Sequence, residues 1–258
     1  MGLLEDKVVL ISGGTQGVGA GVARAAAREG AVVAITGRRP EAGEAIVETL
    51  QKDGATALFV PTDVGDVEQA QAAVATVIEA HGRVDCLVNS AGLTARGSLV
   101  NTTPELFDAH MAINLRGPFF TMQAVVRDLL ARKAPGTVVN IISSSEHAGQ
   151  AYLAPYVAAK AGLAGLTRNA AHAHRWDRIR INGLNIGWTE TEGEDATQRT
   201  FHAADDGWRE RAAAGLPMGK LGQVDEIADF VVFLLSERSG VVTGSVIDWD
   251  QNVLGGMD

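Results

Sequence analysis

The chain of 258 residues contains a single cysteine, Cys86. A disulfide within the chain is therefore impossible, and a zinc site built from four cysteines is excluded. Cys86 lies in the apolar run 84–88, and this position predicts a buried, unreactive thiol. No metal site is predicted.

Long hydrophobic runs are also missing. No stretch of about 18 consecutive apolar residues appears, which is the length that a membrane-spanning helix needs. Residues 1–6 lack the features of a secretory signal, so we expect a cytoplasmic protein with no membrane partner. The net charge of -9 and the pI near 5.2 disfavour nucleic-acid binding.

Short apolar runs alternate with longer helical patterns along the chain. The apolar character of each run indicates a strand buried on both faces, as in a parallel sheet covered by helices. The predicted strands are 7–12, 31–36, 56–61, 85–89, 137–143, 180–185 and 245–249. The predicted helices are 18–29, 41–52, 67–81, 104–133, 156–176 and 224–236.

This order predicts an α/β fold, a Rossmann-like doubly wound sheet of seven parallel strands with helices on both faces. We expect residues 1–258 to form a single domain that both binds the dinucleotide and carries out catalysis. The polar, weakly periodic segment 189–217 is the exception to the alternation. It is interpreted as a surface loop or as a mobile flap over a bound substrate, because ligands lie beyond the carboxyl ends of such strands.

A glycine-rich turn, residues 12–19, joins the first strand to the first helix with the spacing G-x-x-x-G-x-G. Glycine permits a tight turn and lets backbone N–H groups approach a pyrophosphate at the helix N-terminus. A close crossing of strand and helix would also explain such glycines. The position of the turn between a strand and a helix favours the nucleotide site.

This spacing resembles the short-chain dehydrogenase/reductase family, whose motif here is T-G-x-x-x-G-x-G. Residues 89–92 are similar to the family's N-N-A-G, Asn114 to its helix asparagine, and Tyr156 with Lys160 to its Y-x-x-x-K. The ordered motifs cover essentially the whole chain.

The resemblance implies an NAD(P) site and assigns its residues. The expected cofactor contacts are Gly13, Thr15, Gln16, Gly17, Val18, Arg38, Asp63, Val64, Asn89, Ala91, Gly92, Tyr156, Lys160, Gly187 and Thr189. From the residues alone, Asp63 is also explained as a turn cap, and Thr189 as the start of a loop.

The same resemblance implies that Ser143, Tyr156, Lys160 and Asn114 are catalytic. Tyr156 and Lys160 are four residues apart and so share a helical face. A phenol with a pKa near 10 is a poor acid–base group until a neighbouring cation favours its anion. Ser143 would donate to the carbonyl oxygen. Asn114 would hold a proton-relaying water or, alternatively, brace a helix against the sheet.

The substrate pocket is less defined. In the family it is built where Ser143, Tyr156, His147, Gln150 and Trp188 lie, but each of the last three also has a surface or packing explanation. The sequence does not choose among a polyol, a hydroxy steroid, a keto ester and a quinone.

Cofactor choice depends on the end of the second strand, where NAD enzymes carry an acidic residue that binds the ribose 2′-hydroxyl. Gly37 stands there, followed by Arg38 and Arg39. Gly37 leaves room for a 2′-phosphate, and Arg38 can bind it. NADP(H) is therefore the expected cofactor, with NAD(H) as the alternative.

The predicted function is interconversion of an alcohol and a ketone by hydride transfer, with Tyr156 as the acid/base. The alternative is a catalytically silent nucleotide-binding regulator, which would be expected to lack Tyr156, Lys160 or Ser143. Enoyl reduction is the second enzymatic candidate, but in this fold it usually spaces tyrosine and lysine further apart. The resemblance also implies a homotetramer.

Overall fold

The computed structural model describes residues 2–147 and 149–253. Of the expected single domain, Met1, Ala148 and residues 254–258 lie outside the described residues. The strands form one parallel sheet in the order β3-β2-β1-β4-β5-β6-β7, which confirms the predicted fold class. The strands are β1 Val8–Ser12, β2 Val32–Gly37, β3 Ala57–Pro61, β4 Cys86–Asn89, β5 Gly136–Ile141, β6 Ile179–Ile186 and β7 Val246–Trp249.

Helices cover both faces of this sheet. They are α1 Gly17–Arg28, α2 Pro40–Lys52, α3 Val67–His81, α4 Pro104–Met111, α5 Gly117–Arg132, α6 Ala154–His174, α7 Glu192–His202, α8 Trp208–Ala214 and α9 Val224–Leu235. β1 shows how one strand serves two cores. Val9 and Ile11 pack in the core that includes α1 and α9, whereas Val8 and Leu10 pack in the core that includes α3 and α5. This alternation follows from the two-residue period of a strand.

The predicted helix 104–133 is interrupted. α4 and α5 are separated by a π-helical turn, Ala112–Arg116, and Asn114 lies within it. Such a turn adds one residue to the helical repeat and frequently marks a functional site. Here it turns Asn114 into the interior, where its side chain is fully buried.

The segment 189–217, expected to be a loop or flap, contains two helices, α7 and α8. The Thr191 hydroxyl caps α7 by accepting from the Glu194 backbone N–H at 3.0 Å, and the first turn also carries acidic residues that favour a helix N-terminus. Few apolar side chains mark the periodicity of α7, which explains why the pattern did not predict a helix.

The strand order reverses between β1 and β4, because β1 is followed on one side by β2 and on the other by β4. In open parallel sheets the crevice at such a switch point, beyond the carboxyl ends of the strands, is where ligands bind. The glycine turn after β1, the N-S-A-G segment after β4 and the serines after β5 all open into this crevice.

Candidate active site

The crevice is a cavity of about 780 Å³ at the carboxyl edge of the sheet. Most of the expected cofactor residues line it together: Gly13, Thr15, Gln16, Gly17, Val18, Arg38, Asp63, Val64, Ala91, Gly92, Tyr156, Lys160, Gly187 and Thr189. Ser143, Gln150 and Trp188 line it as well. Asn89, Asn114 and His147 do not line it.

The glycine turn has the backbone that a nucleotide pyrophosphate needs. Gly13 has φ +84° and Gly17 has φ +52°, in the left-handed region that favours glycine. A Cβ on Gly13 would lie 2.5 Å from the Ala91 backbone nitrogen, so a larger residue would push the N-S-A-G segment away. The cradle therefore fits a phosphate group held by backbone N–H groups at the start of α1.

Two cofactor candidates also satisfy local backbone groups. The Asp63 carboxylate accepts from the Gly65 N–H at 2.9 Å, which is the turn-capping role considered for it. The Thr189 hydroxyl donates to the Gly187 carbonyl at 2.9 Å. Both residues still line the cavity, so these local hydrogen bonds are compatible with the cofactor contacts expected at the two positions.

Asn89 is part of a buried hydrogen-bonded chain beneath the cavity. Its Nδ2 donates to Asn140 Oδ1 at 2.8 Å, and Asn140 Nδ2 donates to the Thr167 hydroxyl at 2.9 Å. This chain ties β4, β5 and α6 together. Asn89 Oδ1 has no partner among the described residues. The geometry therefore gives Asn89 a bracing role under the cofactor site rather than a place on its wall.

Lys160 and Tyr156 are packed side by side on α6. The Lys160 ammonium lies 5.7 Å from the centre of the Tyr156 ring and donates to the Ile141 carbonyl at the end of β5 at 2.8 Å. Burial lowers the pKa of Lys160 to about 8. Burial also raises the pKa of the Tyr156 phenol, and the nearby Ser143 hydroxyl opposes that shift. Burial therefore disfavours the charged form of each group, and the Lys160 ammonium persists below about pH 8.

Ser143 stands at the end of β5 beside this pair. Its hydroxyl is 2.6 Å from the Ser145 hydroxyl and accepts from the Ser145 backbone N–H at 3.3 Å. The 3-10 turn Ser144–Glu146 that follows β5 creates this arrangement. A bound carbonyl oxygen at this point would have the Ser143 and Tyr156 hydroxyls as donors, which is the geometry needed to stabilise developing negative charge.

Asn114 braces the site from behind. Its Nδ2 donates to the Leu93 carbonyl at 3.0 Å, and its Oδ1 accepts from the Leu93 N–H at 2.9 Å. The second hydrogen of Nδ2 points to His110 Nδ1, 3.0 Å away. The structure thus gives Asn114 the bracing contacts considered for it, and leaves one Oδ1 lone pair for a water.

His110 was not singled out in the sequence, yet it contacts two of the catalytic candidates, Asn114 and Tyr156. It is fully buried, its ring packs edge-on against Tyr156 at 6.2 Å, and Nε2 lies 3.0 Å from the Ala95 carbonyl. Acceptance at Nδ1 and donation from Nε2 define one neutral tautomer. Burial lowers the pKa of His110, which keeps that form. Its spacing of four from Asn114 on one helical face was the available signal.

His147 is directed away from the cavity. Its Nε2 lies 3.0 Å from Asp248 Oδ1 and 2.8 Å from Asn185 Nδ2, at the ends of β7 and β6. The expected substrate contact is therefore not seen for His147, because these polar partners hold it at the sheet end. Trp188 does face the cavity, and its Nε1 donates to Glu194 at 2.8 Å.

Arg96 and Glu194 are cavity residues that sequence reasoning missed. Arg96 lies on the loop after β4, where the N-S-A-G motif had already ended. Glu194 lies on α7, in the segment expected to be a loop. Position after a strand end was the only sequence signal for Arg96, and Glu194 had none, because its contact depends on how α7 crosses the cavity.

Two kinds of feature are absent from the described residues. Across residues 2–147 and 149–253, no cluster of histidine, cysteine and acidic side chains has metal-binding geometry. Within the same ranges, no helix is long and apolar enough to span a membrane.

Comparison with known proteins gives consistent relatives. A family model described as enoyl-(acyl carrier protein) reductase matches residues 13–253. An L-rhamnose 1-dehydrogenase (NAD(P)(+)) from Azotobacter vinelandii is 34% identical over 249 residues, covering 94% of each chain. The crystal structure of levodione reductase has a TM-score of 0.90 at 31% identity, covering 96% of this chain and 97% of that one. An actinorhodin polyketide ketoreductase with NADPH has a TM-score of 0.90 at 29% identity, covering 97% and 98%.

The burial of Lys160 predicts a pH-dependent stability. Below about pH 8 the folded and unfolded chains both hold the Lys160 proton, and the buried ammonium costs stability. As pH rises from about 8 towards 10.5, the folded chain loses the proton first, so its free energy of unfolding rises by up to about 1.4 kcal/mol per pH unit. Urea unfolding without nucleotide measures this.

Lys160→Met removes the titrating group while keeping its length. As pH rises across this window, we expect the free energy of unfolding of the unmodified protein to increase relative to that of Lys160→Met. A difference between the two proteins that stays constant from about pH 8 to 10.5 would contradict the lowered pKa.

Proposed function

The chain is a member of the short-chain dehydrogenase/reductase family, and we propose that it interconverts an alcohol and a ketone with NADP(H), in preference to NAD(H). This proposal rests on one observation: Ser143, Tyr156 and Lys160 line the same cavity as the glycine turn. A proton donor, a second hydroxyl donor and a cation thus face the space beside a nucleotide cradle.

The residues divide the reduction as follows. Ser143 and Tyr156 hydrogen-bond the carbonyl oxygen and orient it. A nicotinamide cofactor held at the glycine turn of Gly13 and Gly17 would supply the hydride for the carbonyl carbon. Tyr156 donates its phenolic proton to the oxygen, which becomes the alcohol hydroxyl, and the phenolate left behind is stabilised by the Lys160 ammonium. Alcohol oxidation uses the same groups in reverse, with the phenolate accepting the hydroxyl proton.

His110 and Asn114 support this chemistry without touching the substrate. Their contacts with Leu93, Ala95 and the Tyr156 ring fix the position of the loop after β4 relative to the Tyr156 phenol. The free lone pair of Asn114 Oδ1 also suits a water that returns a proton towards Lys160, which is the relay role expected for it.

Enoyl reduction is the second candidate, favoured by the description of the matching family model. The Tyr156–Lys160 spacing of four supports carbonyl reduction instead. So does the Ser143 hydroxyl, which is a second donor beside that of Tyr156. Two relatives also bear names of carbonyl or hydroxyl chemistry, a ketoreductase and a sugar dehydrogenase. The presence of all three catalytic groups argues against a silent regulator.

Assembly and location extend the proposal. We propose a cytoplasmic homotetramer with twofold axes, whose mass light scattering can measure. Two separate surfaces expose large apolar side chains that subunit contacts would cover. One, on α4 and α5, holds Phe107, Phe119 and Leu130, and the other, on α9 and the turn after it, holds Phe233, Val241 and Val242.

NADP(H) preference rests on the end of β2. A Cβ on Gly37 would lie 2.6 Å from Thr15 Cγ2, so an acidic side chain there would require Thr15 to move. Arg38 and Arg39 both line the cavity, and Arg39 hydrogen-bonds Gln16 in the glycine turn. Arg38 is exposed and positioned to bind a 2′-phosphate through charge-assisted hydrogen bonds.

Tyr156→Phe is expected to lower kcat by about 10²–10⁴-fold while the Kd for NADPH is retained, because only the phenolic hydroxyl, the proton donor, is lost. Turnover of ketones and of matched enones, followed by NADPH oxidation, measures the effect and separates carbonyl from enoyl reduction. Tyr152→Phe is the matched control, since Tyr152 lines the same cavity but has no lysine four residues later. An equal loss in both variants, or full activity of Tyr156→Phe, would refute the assignment.

Arg38→Ala is expected to weaken NADPH binding by about 10- to 100-fold, the effect of losing a hydrogen bond to a charged group. NADH binding should change little, because NADH has no 2′-phosphate. Calorimetric titration of both cofactors measures this. Arg24→Ala is the control, since Arg24 is an exposed arginine on α1 outside the cavity. Tighter binding of NADH by the unmodified protein would show the preference to be wrong.

A further inference from the structure

The substrate end of the cavity holds two charged side chains of opposite sign that do not pair with each other. Arg96 comes from the loop after β4 and Glu194 from α7, and both line the cavity. Neither takes part in an ion pair within the described ranges. Both side chains are half-buried, so their remaining donors and acceptors are available to a ligand bound in the cavity.

The Arg96 guanidinium contacts three neighbouring residues. Nη1 donates to the Thr94 carbonyl at 2.9 Å, and Nε and Nη2 point at His202 Nε2, at 3.3 and 3.1 Å. The guanidinium carbon lies 5.1 Å from the centre of the Tyr152 ring. A guanidinium has five N–H donors, and these contacts leave some of them free to face the cavity.

Glu194 also contacts neighbouring residues. Its Oε1 accepts from Trp188 Nε1 at 2.8 Å and from Gln198 Nε2 at 2.8 Å. These bonds occupy one carboxylate oxygen and leave Oε2 as an acceptor. They also hold the Trp188 ring, which lies 6.1 Å from the Trp208 ring, on the cavity wall.

Both charges share the cavity with the reacting centre, since Arg96, Glu194 and Tyr156 all line it. Gly97, next to Arg96, pairs with Leu153, three residues before Tyr156, and Glu194 holds Trp188 on the cavity wall. Since Tyr156 marks the carbonyl oxygen of the substrate, groups bound by Arg96 and Glu194 lie on other carbons of the same substrate.

The donor and acceptor pattern selects the chemical class of those groups. Arg96 can only donate and Glu194 can only accept, whereas a hydroxyl does both. An anionic substrate would be attracted by Arg96 and repelled by Glu194. A cationic substrate would be attracted by Glu194 and repelled by Arg96. An apolar substrate would strip water from both charges and return no hydrogen bond, which is costly.

We propose that the substrate is a neutral polyhydroxylated compound, a polyol or the corresponding ketose. Arg96 and Glu194 hydrogen-bond the hydroxyls on carbons next to the one that is oxidised or reduced. This inference rests on the proposed function, because Tyr156 defines the position of the reacting carbonyl.

The test compares three four-carbon ketones with NADPH: erythrulose, 2-butanone and acetoacetate, which are hydroxylated, apolar and anionic. We expect the highest kcat/KM for erythrulose. Arg96→Met and Glu194→Gln should each lower that value by about 10- to 100-fold, the effect of losing a hydrogen bond to a charged group. The value for 2-butanone should change little. Arg24→Met, on the exposed face of α1, controls for loss of a positive charge.

A preference for acetoacetate that depends on Arg96 alone, or a preference for 2-butanone, would overturn the inference. Reduction of none of the three ketones would instead count against the proposed function. Calorimetric titration of the NADPH complex with erythritol and with 2-butanol then decides recognition separately. Tighter binding of erythritol, lost in Arg96→Met and in Glu194→Gln, supports the inference, and equal binding of the two alcohols overturns it.

Discussion

The burial of one ammonium group, Lys160 Nζ, is the constraint on which the site depends. The group lies between the carbonyl end of β5 and the Tyr156 ring, and almost none of the Lys160 side chain is exposed. A buried cation is costly without hydrogen bonds or a nearby negative charge. The Ile141 carbonyl satisfies part of that need, and a phenolate at Tyr156 would satisfy more of it. Burial raises the pKa of the Tyr156 phenol, and the neighbouring ammonium lowers the cost of forming its phenolate.

A second set of buried polar groups holds the other side of the phenol. The π-helical turn places Asn114 where its amide closes a pair of hydrogen bonds with Leu93 and meets His110. The π-helical turn contains one more residue than an α-helical turn. In a regular α-helix the Asn114 side chain would therefore be rotated about the helix axis by one residue. The π-helical interruption between α4 and α5 thus lets Asn114 link the loop after β4 to His110, which contacts the Tyr156 ring.

Most of the fold, and the position of Ser143, Tyr156 and Lys160 on one cavity, were predictable from the sequence, because their signals are local. Apolar runs define the strands, glycine at 13 and 17 defines the turn, and Tyr156 and Lys160 are one helical turn apart. Contacts made between distant segments were not predictable. The direction of His147 depends on polar partners at the ends of β6 and β7, and the bracing role of Asn89 depends on Asn140 across the sheet.

The helical character of the segment 189–217 was missed for a related reason. α7 is stabilised by its Thr191 cap and by contacts across the cavity, such as that between His202 and Arg96, rather than by an apolar stripe. These contacts place Glu194 on the cavity wall, so Arg96 and Glu194, the charges from which the substrate class is proposed, come from two segments far apart in sequence.

That positive charge beside Tyr156 favours its phenolate is tested most directly by ultraviolet titration of the phenol with and without NADP⁺, whose oxidised nicotinamide ring carries a positive charge. The chain has two tyrosines, so subtracting the spectrum of Tyr156→Phe isolates this one. Without nucleotide, the pKa of Tyr156 should lie above the ordinary value of about 10, because burial raises it. With saturating NADP⁺ the pKa should fall clearly, and an identical pKa in the two states would contradict the account.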